Sequence, residues 1–182
     1  MRTWITSDLH FGHKNIMSFC PVTRARFRND VDYMNEQMVT EWNDRVSVGD
    51  TVYILGDVAF LPAQKAAEYM NRCNGTKILV EGNHDRKTLN DPTFRKCFSE
   101  VHKYLDVNYN GTKCVMFHYP IAEWDQMHRG ALHFHGHLHG GKSGLEQYRA
   151  LDVGMDSTGE IVISMEAAIR MIEGHLIKGH HV

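Results

Sequence analysis

Apolar residues fall in short bursts along the first half of the chain, and each burst stops at a small cluster of polar residues and glycine. Residues 2–7 read as a strand that gives way at Ser7-Asp8, and residues 12–19 have room for a short helix. From Asp30 to Val46 the positions Val31, Met34, Met38 and Trp42 recur at helical spacing, with Asp30 placed to cap the helix. Residues 51–55 are β-branched and aromatic, a buried strand that stops at Gly56-Asp57. Pro62 opens a second helix with Ala63, Ala66, Ala67 and Met70 on one face. Proline suits that position because its missing N–H would be unpaired there. The helix ends at Asn74-Gly75, and residues 77–81 form a third strand that runs into Gly82-Asn83-His84-Asp85. Strand, helix and strand at these spacings predict parallel pairing through a right-handed crossover.

The second half has a different rhythm. Residues 101–109 and 112–117 flank Asn110-Gly111, a strong hairpin signal. Strands at 131–135, 148–153 and 160–163 follow, then a helix from Ser164 to Glu173 closed by Gly174. The pattern therefore predicts an α/β first half and a mainly antiparallel second half. No repeat or linker interrupts residues 1–182, which predicts a single domain.

Composition narrows the class. With 42% hydrophobic and 23% charged residues, the chain has the make-up of a soluble globular protein. A net charge of -2 without a dense Lys/Arg run argues against a dedicated nucleic-acid surface, while nucleotides, short single strands and other small phosphates stay open. Met1-Arg2-Thr3-Trp4-Ile5 leads straight into a strand, and no stretch has membrane-spanning length, so no membrane partner and a cytoplasmic location are expected. Cys20, Cys73, Cys97 and Cys114 share no C-x-x-C spacing and read as reduced, mostly buried thiols.

Histidine changes the picture. Of 13 copies, six (His118, His128, His133, His135, His137 and His139) fall between 118 and 139. Histidine is the commonest metal ligand. The terminal His180-His181 pair is too short for an affinity tag and reads as surface. Five motifs stand in order: Asp8-Leu9-His10, Gly56-Asp57, Gly82-Asn83-His84-Asp85, His118, and Gly136-His137-Leu138-His139. In an extended strand, residues two apart point the same way, so Asp8 with His10 can grip one ion, and His137 with His139 repeat the device. Asp57 offers two carboxylate oxygens and can bridge two ions, Asn83 brings an amide oxygen, and His118 a further imidazole. This oxygen and nitrogen set suits Mn, Fe, Zn or Ni better than Mg or Ca. The glycines at 56, 82 and 136 allow backbone to approach a ligand or ion closely.

The ordered set D-x-H, G-D, G-N-H-D, H, G-H-x-H over residues 8–139 resembles the calcineurin-like metallophosphoesterases. The wording Ser7-Asp8-Leu9-His10-Phe11-Gly12-His13 and Leu55-Gly56-Asp57-Val58 resembles a small, cap-free prokaryotic or phage subgroup. The resemblance implies an α/β fold, a four-layer α-β-β-α double β-sandwich with a metal pair at one edge. It implies that Asp8, His10, Asp57 and His139 hold one divalent ion, and that Asp57, Asn83, His118 and His137 hold the other, with Mn²⁺ the first expectation. His84 would contact the leaving-group oxygen, with Asp85 orienting its ring. One departure is Phe117, where many relatives carry glycine before the histidine.

The implied activity is hydrolysis of a phosphodiester or phosphomonoester of a small substrate, such as a nucleotide or cyclic nucleotide. A single-strand nuclease and a non-catalytic metal-binding scaffold are the alternatives. His13, Lys14 and Arg86 flank the motifs and are candidates for substrate phosphate, set against ordinary solvated charges. Arg24, Arg26 and Arg28 form either a solvated face or a phosphate-steering patch. The loop 121–130 is expected to shape the rim. Phe11, Trp124 and Phe134 either line the mouth or are simply buried. His133 and His135 read as strand residues, His128 and His175 as surface, and Gly49-Asp50 as a turn.

Overall fold

The computed structural model describes residues 1–179, so His180 and His181 lie outside the described residues. Among these residues the strands form two sheets. The first, in spatial order, contains β4 (Glu100–His102), β3 (Thr76–Val80), β2 (Thr51–Ile54), β1 (Thr3–Thr6) and β9 (Ile163–Ser164). The second contains β5 (Tyr104–Tyr109), β6 (Thr112–Phe117), β7 (Leu132–His135) and β8 (Ala150–Asp152). Three longer helices join them: α1 (Val31–Arg45), α2 (Ala63–Arg72) and α3 (Met165–Ile172). No helix among the described residues is long and apolar enough to cross a membrane.

Alternation along the strands sorts side chains to two cores. Trp4, Val52, Ile54 and Leu79 meet Met34, Met38 and Trp42 of α1 and Ala66, Ala67 and Met70 of α2. Ile5, Leu55 and Val80 face the other way, onto Cys114, Met116, Leu132 and Phe134 of the second sheet, with Met165, Ala168 and Ile172 of α3 closing that core. The result is the expected double β-sandwich. Asp30 caps α1 by accepting from the N–H groups of Asp32 and Tyr33, both at 3.0 Å, a contact typically worth about 1 kcal/mol.

β1, β2 and β3 run parallel, as the strand–helix–strand rhythm predicts, and β4, expected within the antiparallel half, pairs with β3 in parallel as well. The second sheet is a correction. β5 and β6 form the antiparallel hairpin around Asn110-Gly111, but β6 pairs with β7, and β7 with β8, in parallel. The long segments 118–131 and 136–149 serve as crossovers, which parallel neighbours require and hairpins do not. Residues 101–109 also prove to be two strands: the chain leaves the first sheet at His102 and joins the second at Tyr104. The strand expected at 160–163 pairs only at Ile163-Ser164, because Gly159, at φ 77°, ends a helical turn just before it. The loop 121–130, expected to shape the rim, is anchored on the second sheet. Its Trp124 and Met127 bury against Val115 and Ala150, covering the outer face of the second sheet.

Candidate metal centre

Past the ends of β1 and β2 the two chains stay side by side. The N–H groups of Leu55, Asp8 and His10 donate to the carbonyls of Thr6 (2.8 Å), Gly56 (3.0 Å) and Asp57 (3.1 Å) in turn. Asp8, His10 and Asp57 make these bonds at φ of 56°, 55° and 55°, and His137 and His139 lie at 73° and 49°. This corrects the expectation of extended backbone at both D-x-H and H-x-H. The strands have ended, and left-handed backbone turns these side chains inward. Asp and His tolerate that region better than most residues, at a cost of about 1–3 kcal/mol each.

The five motifs converge from both sheets. Asp8, His10 and His139 bring one ligand atom each to within 4.8 Å of one another, and so do Asp57, His118 and His137. Asp57 faces both groups: its Oδ2 lies 3.8 Å from His10 Nε2 and its Oδ1 3.6 Å from His118 Nε2. Asp8 Oδ1 lies 3.7 Å from His10 Nε2 and 3.8 Å from His139 Nε2. These separations are too long for hydrogen bonds.

The donor chemistry fits cations. His118 Nδ1 donates to the Leu55 carbonyl at 2.7 Å, which directs the Nε2 lone pair at Asn83 Oδ1, 2.9 Å away. His139 Nδ1 likewise donates to Asp156 Oδ2 at 2.8 Å, leaving Nε2 to face Asp8. Asp8 Oδ1 and both His10 nitrogens are buried without a partner. Burial pulls the His10 and His137 imidazoles below their ordinary pKa, which favours the neutral, ligating form. Two glycines make the approach possible. A Cβ on Gly82 would stand 2.3 Å from Asp57 Oδ1, and one on Gly136 would stand 2.3 Å from Asp8 Oδ2.

A buried frame holds these loops. Asp85 does not orient the His84 ring. It accepts from the N–H groups of Asp57 (2.8 Å), Val58 (2.9 Å) and Gly82 (2.9 Å), so it ties the second motif to the third. Its position at the start of a helical turn, 1% exposed, turns the carboxylate away from solvent and toward these donors. Burial, with the Asp57 charge nearby, pushes its carboxyl up to about 6 against those bonds.

Arg24 is neither a solvated nor a steering residue. Fully buried, it donates to both Asp156 oxygens at 2.8 Å, to the Asp8 carbonyl at 2.8 Å and to the Leu9 carbonyl at 3.1 Å. Arg26 pairs with Glu41, and Arg28 lies over the Tyr33 ring. Neither Asp156 nor the buried role of Arg24 carries a sequence signal, because their partners lie 132 positions apart.

His84 stands at the mouth, its side chain 46% exposed and its Nε2 3.9 Å from Asp57 Oδ2. Phe60 packs against its ring at 4.5 Å between centroids and stacks on His13 at 4.1 Å. His13 is half-buried, and burial pulls its imidazole down to about 4. Lys14 is exposed, and Arg86, also exposed, lies 3.7 Å from Glu81. On the other side Tyr119 meets the His137 ring at 4.7 Å. Phe60 and Tyr119 are thus the aromatic neighbours of the centre; each follows a motif within three residues. Phe11, Trp124 and Phe134 are buried instead. His133 and His135 are buried strand residues, and His175 is half-buried, bonded to the Tyr148 carbonyl.

The family profile described as calcineurin-like phosphoesterase matches residues 1–153. An uncharacterized protein of Methanocaldococcus jannaschii is 28% identical over 181 aligned residues, covering 94% of this chain and 92% of that one. The gene 66 protein of Mycobacterium phage L5 is 27% identical over 192, covering 88% and 89%. Among solved structures, a protein of unknown function from Aquifex aeolicus superposes with a TM-score of 0.71 at 22% identity, covering 94% of this chain and 99% of that one. That last likeness concerns the fold alone.

Proposed function

The chain belongs to the calcineurin-like phosphoesterase family, and from that premise we propose that it hydrolyses phosphodiesters of small substrates at a two-ion centre, with phosphomonoesters as weaker substrates. The observation that carries this reading is Asp57, which turns one oxygen toward each of two separate ligand groups. In this reading Asp8, His10, Asp57 and His139 hold one ion, and Asp57, Asn83, His118 and His137 hold the other. Mn²⁺ suits this set of carboxylate, amide and imidazole donors, with Fe, Zn and Ni the alternatives. Divalent ions bound there supply an acidified water and neutralise charge on the phosphate oxygens.

The protein's own groups do the rest. His84 is half in solvent beside Asp57, where a leaving oxygen emerges, and its ring delivers the proton or hydrogen bond that oxygen needs. Phe60 limits the ring's swing from one side. Asp85 and Arg24 position the ligand loops without touching substrate. His84 and the neighbouring Phe60 are both partly exposed, which leaves room for a second esterified group and favours diesters. Four free thiols fit a reducing compartment, the cytoplasm.

The test is hydrolysis of bis(p-nitrophenyl) phosphate with Mn²⁺. Wild-type protein is expected to turn it over faster than p-nitrophenyl phosphate, and His84→Ala is expected to lose roughly 10²–10⁴-fold in kcat. Inertness with every divalent ion, alongside intact ion binding, would leave only a scaffold role.

A further inference from the structure

Two grooves border the turn 82–87, and the exposed residues of that turn divide between them. His84 and Lys87 line one groove, of about 610 Å³, together with Phe60. Asn83 and Arg86 line the other, of about 360 Å³, together with Phe117 and Tyr119. Lys103 adds a second cation to the smaller groove. Each groove thus joins an aromatic face and a positive charge, and each meets the centre through one residue: Asn83, a proposed ligand, in the smaller, and His84, 3.9 Å from Asp57, in the larger.

From each groove the aromatics run on as a short row partly open to solvent. Phe60 (38% exposed) stacks on His13 at 4.1 Å, and His13 in turn meets Phe19 (69% exposed) at 6.0 Å. In the second row, Tyr119 (36% exposed) meets Phe117 at 5.6 Å, and Phe117 meets Tyr104 (41% exposed) at 6.3 Å. Exposed rings of this size lie free in water only at a cost, and rows of them interleaved with Lys and Arg are how proteins hold unpaired bases. Phe117 supplies the middle ring of the second row.

We propose that the substrate is a single-stranded oligonucleotide, its scissile phosphate over the ions and one nucleoside in each groove. This rests on the phosphodiesterase reading and narrows it. A cyclic nucleotide has one base and would fill one groove only. A paired duplex hides its base faces and cannot reach either row. With Lys87, Arg86 and Lys103 as the lining cations, and Glu81 beside Arg86, stacking supplies more of the affinity than charge does.

The experiment measures binding and catalysis separately. Fluorescence anisotropy with labelled phosphorothioate hexathymidylate, which resists cleavage, is compared with an abasic strand of equal length and with a duplex. The full strand is expected to bind at least about tenfold more tightly than either, a factor in line with stacking of one or two bases. Phe60→Leu and Phe117→Leu should each shrink that advantage about threefold or more. Equal binding of the abasic strand, or an advantage untouched by both substitutions, would overturn the proposal. Hydrolysis of bis(p-nitrophenyl) phosphate is assayed on the same samples. If that diester is cleaved while the full strand has no advantage, the oligonucleotide proposal fails and the phosphodiesterase reading stands. If no diester is cleaved with any ion, the reading beneath it fails, and the proposal with it.

Discussion

At the scale of single residues, the site is built from side chains that backbone strain turns inward. Asp8, His10, Asp57, His137 and His139 all hold positive φ, a concentration that strand alternation does not produce. The motifs were legible because their residue types and order survive any local geometry. The geometry itself was not, since a left-handed turn by Asp or His leaves no periodic mark. Asp57 is the residue on which the reading turns. Asp57→Ala is expected to cost more activity than any other single substitution, because it takes a proposed ligand from both ions. Asn83→Ala removes one neutral oxygen and should cost less. Steady-state kinetics on one diester ranks the two, and an equal or larger loss for Asn83→Ala would contradict the shared role.

At the scale of elements, the loops are held by buried polar contacts that span the sequence. Arg24, from the helical turn after Pro21, joins Asp156 to the backbone of the first motif. Its replacement strands the Asp156 carboxylate in the interior, so Arg24→Met should lower unfolding free energy by about 3–5 kcal/mol in urea. A loss below 1 kcal/mol would show that the motif stands without it. Asp50 does related work at the other end of the sheet, accepting from the Arg2 and Ser47 N–H groups and the Trp4 indole. Those donors, the Arg2 N–H first, hold its carboxyl down to about 2. The folded value lies below the unfolded one of about 3.9, so this contribution is complete above pH 4 and is lost as pH falls toward 2. Asp50→Asn should flatten the fall in thermal midpoint across that window, and an unchanged slope would remove Asp50 as its source. The turn at Gly49-Asp50 was readable from sequence, and the Ser47 bond lies within it, whereas the Arg2 and Trp4 bonds join residues that only the folded sheet brings together.

At the scale of the whole molecule, the two sheets act as a clamp. The first presents Asp8, His10, Asp57 and Asn83 from the carboxyl ends of β1, β2 and β3, and the second presents His118, His137 and His139 after β6 and β7. His118 crosses the gap to the Leu55 carbonyl, which fixes one sheet's loops against the other. The parallel order of β1, β2 and β3 followed from strand spacing, because a helix between short apolar runs leaves few alternatives. That of the second sheet did not, because crossovers without long helices read as hairpin connections.

The most direct test of the two-ion centre is the number of ions bound. Protein dialysed against Mn²⁺ and assayed by inductively coupled plasma mass spectrometry is expected to carry two ions per chain, and Asp57→Ala fewer than one. A single ion per chain in wild type, or two that persist in Asp57→Ala, would contradict a centre that one carboxylate holds together.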